Sequence, residues 1–150
     1  MAWKGPDEFR SSVCASEQPF FFSVALPEGN YTVTVTLGGG ERESATTVKS
    51  ESRRLMLENV PTRAGEFITR TFTANIRTPD IDGRERVKLN DEWEVKEKVL
   101  LHWDNKLSLE FNGKHSCVAA IEIAKATEAV TVFLLGDSTV TDLPLEPWGT

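Results

Sequence analysis

The strongest signal in the chain is an alternation of apolar and polar residues with a period of two. In Tyr31-Thr32-Val33-Thr34-Val35-Thr36-Leu37 the apolar residues fall on one side and the threonines on the other, the pattern of a strand with one buried face. Lys106-Leu107-Ser108-Leu109-Glu110-Phe111 alternates in the same way, and Cys117, Ala119, Ile121 and Ile123 share one face of a further strand. Phe72, Ala74 and Ile76 share a face within a strand predicted over 67–77. The aromatic and β-branched run from Pro19 to Leu26 also suits a strand. Shorter strands are expected at 44–49 and 86–89, and at 52–58 a strand, with a helical turn as its alternative. Turn residues separate these runs. Pro27-Glu28-Gly29-Asn30 predicts a tight turn that joins its neighbours as a hairpin, and Asn112-Gly113 predicts another. Gly38-Gly39-Gly40, Val60-Pro61-Thr62 and the stretch from Thr78 to Gly83 read as breaks.

About eight short strands with no amphipathic helix predict an all-β fold, an antiparallel β-sandwich or jelly roll with one wet face on each sheet. It would occupy residues 19–127, after a polar tail at 1–18. Ala124 to Ala129 reads as a linker. Val132-Phe133-Leu134-Leu135 differs in kind, being continuously apolar, as in a strand buried on both faces of an α/β sheet. It stops at Gly136-Asp137-Ser138. The change of strand type predicts a boundary near residue 128, with 128–150 holding one orphan strand of a second, incomplete unit. An unpaired strand there is a sticky edge and offers self-association.

Composition narrows the partners. The chain has 150 residues, 39% hydrophobic and 27% charged, which suits a folded domain rather than disorder. A net charge of −6 argues against a nucleic-acid partner and against an anionic membrane surface. No apolar run reaches membrane-spanning length, and the first residues have no signal-peptide pattern. Cys14 and Cys117 lie far apart, outside any Cys-x-x-Cys pair, so zinc is not expected. They are either a disulfide in an oxidising compartment or two buried thiols. Asp80-Ile81-Asp82-Gly83 has oxygen ligands for calcium, but a solvated turn explains it better. No cofactor or metal is called for.

The chemistry-bearing candidate is Ser138, a serine at the tip of a strand. Such a nucleophile needs a base, an orienting carboxylate and an oxyanion hole. The block Val132-Phe133-Leu134-Leu135-Gly136-Asp137-Ser138-Thr139-Val140-Thr141-Asp142 resembles the first motif of the SGNH (GDSL) hydrolases. It is most similar to the rhamnogalacturonan acetylesterase-like branch, where the motif reads Gly-Asp-Ser-Thr. Upstream, Pro19 to Val24, Leu26 to Tyr31, Arg53 to Glu58 and Leu107 to Gly113 resemble the galactose-binding-like β-sandwich that precedes the catalytic domain in many bacterial members.

The resemblance implies a secreted or periplasmic esterase that removes acetyl groups from plant-wall polysaccharide. Ser138 would be its nucleophile and first oxyanion donor, with Gly136 and Asp137 completing the motif. The family's later motifs, an oxyanion glycine and asparagine and an Asp-x-x-His pair, are not in this chain. His102 and His115 both precede the serine and stand in no such setting. The chain therefore reads as the N-terminal portion of an esterase, trimmed at both ends and expected to be inactive alone.

The competing expectation is a freestanding carbohydrate-binding module whose partner is a polysaccharide or oligosaccharide. Sugar rings stack on exposed aromatics, which nominates Trp103, beside Asp104 and Asn105, and then Trp93. Trp148 and Trp3 are further candidates, and packing is the common role of each. Arg53-Arg54 could meet an anionic sugar, but surface ion pairs are its ordinary use. A third expectation is purely structural: the sandwich shields or orients a catalytic domain.

Overall fold

A computed structural model describes residues 13–51, 54–87, 103–134 and 136. All its elements are strands: β1 (Cys14–Ser16), β2 (Phe20–Ala25), β3 (Gly29–Gly38), β4 (Ser44–Ser50), β5 (Arg54–Thr62), β6 (Phe67–Ile76), β7 (Asp80–Ile81), β8 (Glu85–Arg86), β9 (Lys106–Lys114) and β10 (Ser116–Lys125). Two four-stranded sheets, ordered β1-β10-β3-β6 and β2-β9-β4-β5, are antiparallel throughout, and β7-β8 forms a separate small ribbon. Paired interleaving of early and late strands in two sheets is the connectivity of a jelly roll, two Greek keys folded on each other. The all-β sandwich expected from the alternation is present.

Alternation decides the core. Tyr31, Val33, Val35 and Leu37 of β3 face Leu107, Leu109 and Phe111 of β9 across the sandwich, joined by Ala74, Ile76, Val48, Val60 and Val118. The ring of Phe20 stacks on Phe111 with centroids 5.3 Å apart. The opposite face of β3 is polar, and it meets β6 in a threonine ladder: Thr34 with Thr71 at 3.0 Å, Thr36 with Thr69 at 3.4 Å.

Several local expectations give way to tertiary pairing. The chain β2-turn-β3 is not a hairpin, because β2 pairs with β9 while β3 pairs with β6 and β10. Pro27 and Glu28 instead carry the chain from one sheet to the other, pinned by the Tyr31 hydroxyl donating to the Pro27 carbonyl at 2.7 Å. Val60-Pro61-Thr62 does not break β5. The strand lies at a sheet edge, where the missing N–H of Pro61 faces no partner strand. Asn112-Gly113 does not turn either. Both residues stay in β9 opposite β4, and the turn falls at His115, whose φ is 53°. Gly113 serves a close approach: a Cβ there would lie 2.2 Å from the Ala45 carbonyl oxygen. Part of the expected tail, Cys14–Ser16, is an edge strand on β10.

The linker expectation also changes. β10 continues through Lys125, and residues 131–134 are in no strand. Val132, Phe133 and Leu134 are exposed rather than buried on both faces. The strand predicted at 86–89 starts earlier, as Glu85–Arg86, and residues 88–89 lie outside the described residues.

Candidate functional site

The strand directions sort the loops into two ends of the sandwich. At one end lie the β3–β4, β5–β6 and β9–β10 connections. At the other lie the β2–β3 crossing, the β4–β5 turn, the segment that follows β6, the residues that precede β9 and the chain after β10.

The first end holds His115, Arg42 and Glu17. His115 Nδ1 lies 3.0 Å from Glu17 Oε1 and 3.2 Å from an Arg42 guanidinium nitrogen. Nearby, a cleft of about 560 Å3 is lined by the adjoining ends of β4 and β5, the β5–β6 connection and Lys114 of β9, with Glu43, Arg63 and Glu66 among its residues. Its charges are mixed and it has no aromatic wall.

Among the described residues, the second end carries Trp103 and the segment that leads toward Gly136. Trp103 stands just before β9, half-buried, with a left-handed φ of 57°. The neighbouring Asp104 carboxylate accepts the Lys106 N–H at 2.8 Å, and the Asn105 carbonyl accepts the Leu26 N–H at 3.0 Å. These bonds fix the Trp103 loop against the β2–β3 crossing. On that crossing, Glu28 accepts from Arg77 at 3.0 Å and from the Thr78 hydroxyl and N–H at 2.8 and 3.1 Å. The Thr78 donors hold its carboxyl below the ordinary carboxylate range, with Arg77 adding to them.

The same end receives the chain after β10. The Ala126 N–H donates to the Asn30 carbonyl at 2.9 Å. The Asn30 side chain donates to the Thr131 hydroxyl at 2.9 Å, and Asn75 donates to Asn30 Oδ1 at 2.7 Å. The Arg77 guanidinium lies over the Phe133 ring, 4.7 Å from its centroid. The chain from Ala126 to Phe133 is therefore bound to the sandwich. Gly136 itself is exposed, whereas Asp137, Ser138, Trp93 and His102 lie outside the described residues. His115 sits at the far end of β10, ten residues and about 30 Å of strand away.

A residue without a sequence signal also belongs to this end. Glu51, at the end of β4, is only 2% exposed. Burial raises its pKa to about 7, with the Asp104 charge adding a little, while the Ser108 N–H and Arg54 pull the other way. It lies in the polar stretch Lys49-Ser50-Glu51-Ser52, between the strands expected at 44–49 and 52–58, where no residue type signals burial. The adjacent outer face is also drier than alternation implies. Lys49 and Ser108 are buried, and Lys49 Nζ meets Glu110 Oε1 at 3.6 Å across β4 and β9.

Cys14 and Cys117 are free thiols. Ala15, not Cys14, is the partner of Cys117 across β1 and β10, so the two cysteine side chains leave the sheet on opposite faces. Cys117 donates to the Gly38 carbonyl at 3.2 Å, and burial pushes its thiol up. Among the described residues, no group of three or more His, Cys, Asp or Glu is placed to hold a metal, and no helix is long and apolar enough to cross a membrane.

No protein-family model matches the chain. It is 28% identical over 95 residues to β-agarase A of Zobellia galactanivorans, a match that covers 63% of this chain and 17% of that protein. The chain thus spans about a sixth of the length of the curated relative it matches. A solved family GH115 4-O-methyl-α-glucuronidase, with specificity for decorated arabinogalactans, aligns over 78% of this chain and 15% of its own, at 9% identity and a TM-score of 0.46.

Proposed function

We propose that this chain is a β-sandwich module of a carbohydrate-active enzyme, one that carries the first segment of an SGNH esterase unit at its C-terminal side. The observation that supports this best is the junction. The residues leading into Gly136-Asp137-Ser138 are held on one end of a jelly roll by Asn30, Asn75 and Arg77. The similarity to a β-agarase favours the carbohydrate setting.

In this reading the substrate is an acetylated plant-wall polysaccharide of the pectin or rhamnogalacturonan type, and Ser138 is the nucleophile. The serine requires a base and an orienting carboxylate from residues other than those of this chain. His115 is committed to Glu17 and Arg42 at the opposite end. The 150-residue chain alone is therefore inactive toward nitrophenyl acetate and acetylated oligosaccharide. Hydrolysis that disappears in Ser138→Ala would refute that assignment. Joining the chain to the coding sequence beyond codon 150 should give Ser138-dependent deacetylation; an in-frame continuation with no Asp-x-x-His and no activity counts against the esterase.

A sugar-binding module with no catalytic role is the second reading, favoured by Trp103 beside Asp104 and Asn105 at the same end as the junction. Titrating pectic and galactan oligosaccharides against tryptophan fluorescence tests it. Saturable quenching at millimolar sugar, lost in Trp103→Ala, supports it, and no response removes it.

A further inference from the structure

The stretch after β10 has linker composition, Ala124-Lys125-Ala126-Thr127-Glu128-Ala129, yet it does not behave as a linker. From Ala126 to Phe133 it is fastened at successive points along one line. Its first amide is bound to the Asn30 backbone. The Asn30 amide group then reaches the Ala129 carbonyl at 3.5 Å and the Thr131 hydroxyl at 2.9 Å, and that hydroxyl donates back to Asn30 Oδ1 at 3.3 Å. Asn75 orients Asn30 from the neighbouring strand, and Arg77 Nε donates to Asn75 Oδ1 at 3.3 Å. Arg77 is in turn held by Glu28 and covers Phe133. Residues of β3, the β2–β3 crossing and the end of β6 thus form one continuous polar chain under the segment.

Polar side chains have been placed where they fix backbone direction, while the apolar side chains of the segment are left outward. Val130, Val132, Phe133 and Leu134 are 88%, 75%, 64% and 77% exposed, in consecutive or alternate positions. Four large apolar groups on an ordered segment are an interaction surface rather than scattered surface residues.

We propose that residues 126–134 form a strap that fixes the sandwich rigidly to the unit that follows it in the same polypeptide. Asn30, Asn75 and Arg77 are positioning residues, and the apolar side chains of the strap are the surface on which that unit packs. The occupant is assigned by continuity: the segment is fastened up to Phe133, and the sequence runs on from there into the Gly136-Asp137-Ser138 motif. This rests on the reading under Proposed function that an α/β unit starts here. In that reading the sandwich sets the direction in which the chain leaves Phe133 toward the motif.

Backbone 15N relaxation on the 150-residue chain tests the strap without needing the esterase. Order parameters for residues 127–133 should be about 0.8, close to those of β3, whereas a free linker falls below about 0.6. Thr131→Val alters only the strap and cannot unfold the sandwich; with Asn30→Ala, it should drop the values at 127–133 below about 0.6 while those of β3 and β9 stay. Wild-type values already at the flexible level would overturn the proposal. So would rigid values that ignore both substitutions, or values that rise with protein concentration alongside a dimer, which would assign the surface to a second copy. Rigid, clasp-dependent values in a monomer, together with failed deacetylation by the extended chain, would leave the strap standing and remove the esterase.

Discussion

Glu51 and Ser108 are joined twice. The Glu51 N–H donates to the Ser108 carbonyl at 2.8 Å, and Glu51 Oε1 accepts the Ser108 N–H at 3.2 Å. Glu51 has a left-handed φ of 55°, so its backbone has already left the ladder that pairs Ser50 with Leu109. Its carboxyl replaces the missing strand acceptor, at the expense of burying an ionisable group beside Asp104.

That arrangement makes stability depend on pH in a defined direction. The Glu51 pKa is raised from 4.5 to about 7, so between these values the folded protein holds a proton that the unfolded chain releases. This group's contribution is complete below pH 4.5 and is lost as pH rises to about 7, by roughly 1–3 kcal/mol. Glu28 acts oppositely, because its depressed pKa gives stability that is lost as pH falls below the usual carboxylate range. Urea unfolding at pH 5, 6 and 8 should show the Glu51 decline. Glu51→Gln keeps an acceptor without the charge, so it should flatten the decline and exceed wild type at pH 8. An unchanged profile would exclude Glu51 as its source.

Phe111 is wholly buried, packs on Phe20 and belongs to a central strand of its sheet. Truncation in Phe111→Ala should cost about 3–5 kcal/mol through lost burial and an unfilled cavity. Phe21, on the other face of β2, is half-exposed, and Phe21→Ala should cost under about 1 kcal/mol. Equal losses for the two would contradict the assignment of faces.

Gly113 should be intolerant of any side chain. A Cβ at φ 123° meets the Ala45 carbonyl oxygen at 2.2 Å, in backbone that cannot move without breaking the β4–β9 ladder. Gly113→Ala should lower stability by at least about 2 kcal/mol, whereas Gly83→Ala meets nothing within 4 Å and should lose only the smaller cost of its φ of 72°. Thermal melts of the two variants compare them directly.

The thiols give a simple readout. Cys14 is exposed and Cys117 is buried with its thiol pushed up, so a thiol reagent should modify one cysteine per native chain and two in guanidinium. Reductant should leave the melting temperature unchanged. A reductant-sensitive melt would mean that the two cysteines pair in solution.

Alternation was enough to identify β3, β9 and the buried half of β6, because a period of two names the face that must leave water whatever the strand pairs with. It also sufficed for the class of fold, since many short alternating strands with turn residues between them have few ways to close a core. Pairing was decided only in three dimensions. Nothing local distinguishes a hairpin turn at Pro27 from a crossing between sheets, and the choice is made by β9 and β6, which lie far along the chain. Gly113 shows the same limit: its residue type signals a turn, but the partner strand β4 requires it for close approach. Glu51 and Lys49 look solvated in the sequence because burial of a charged side chain depends on neighbours from other strands. The apolar run at Val132 to Leu135 reads in the sequence as a strand buried on both faces, yet Val132 to Leu134 are exposed and in no strand, because the approach is clasped by Asn30, Asn75 and Arg77 where the tertiary structure brings β3 and β6 side by side beneath it.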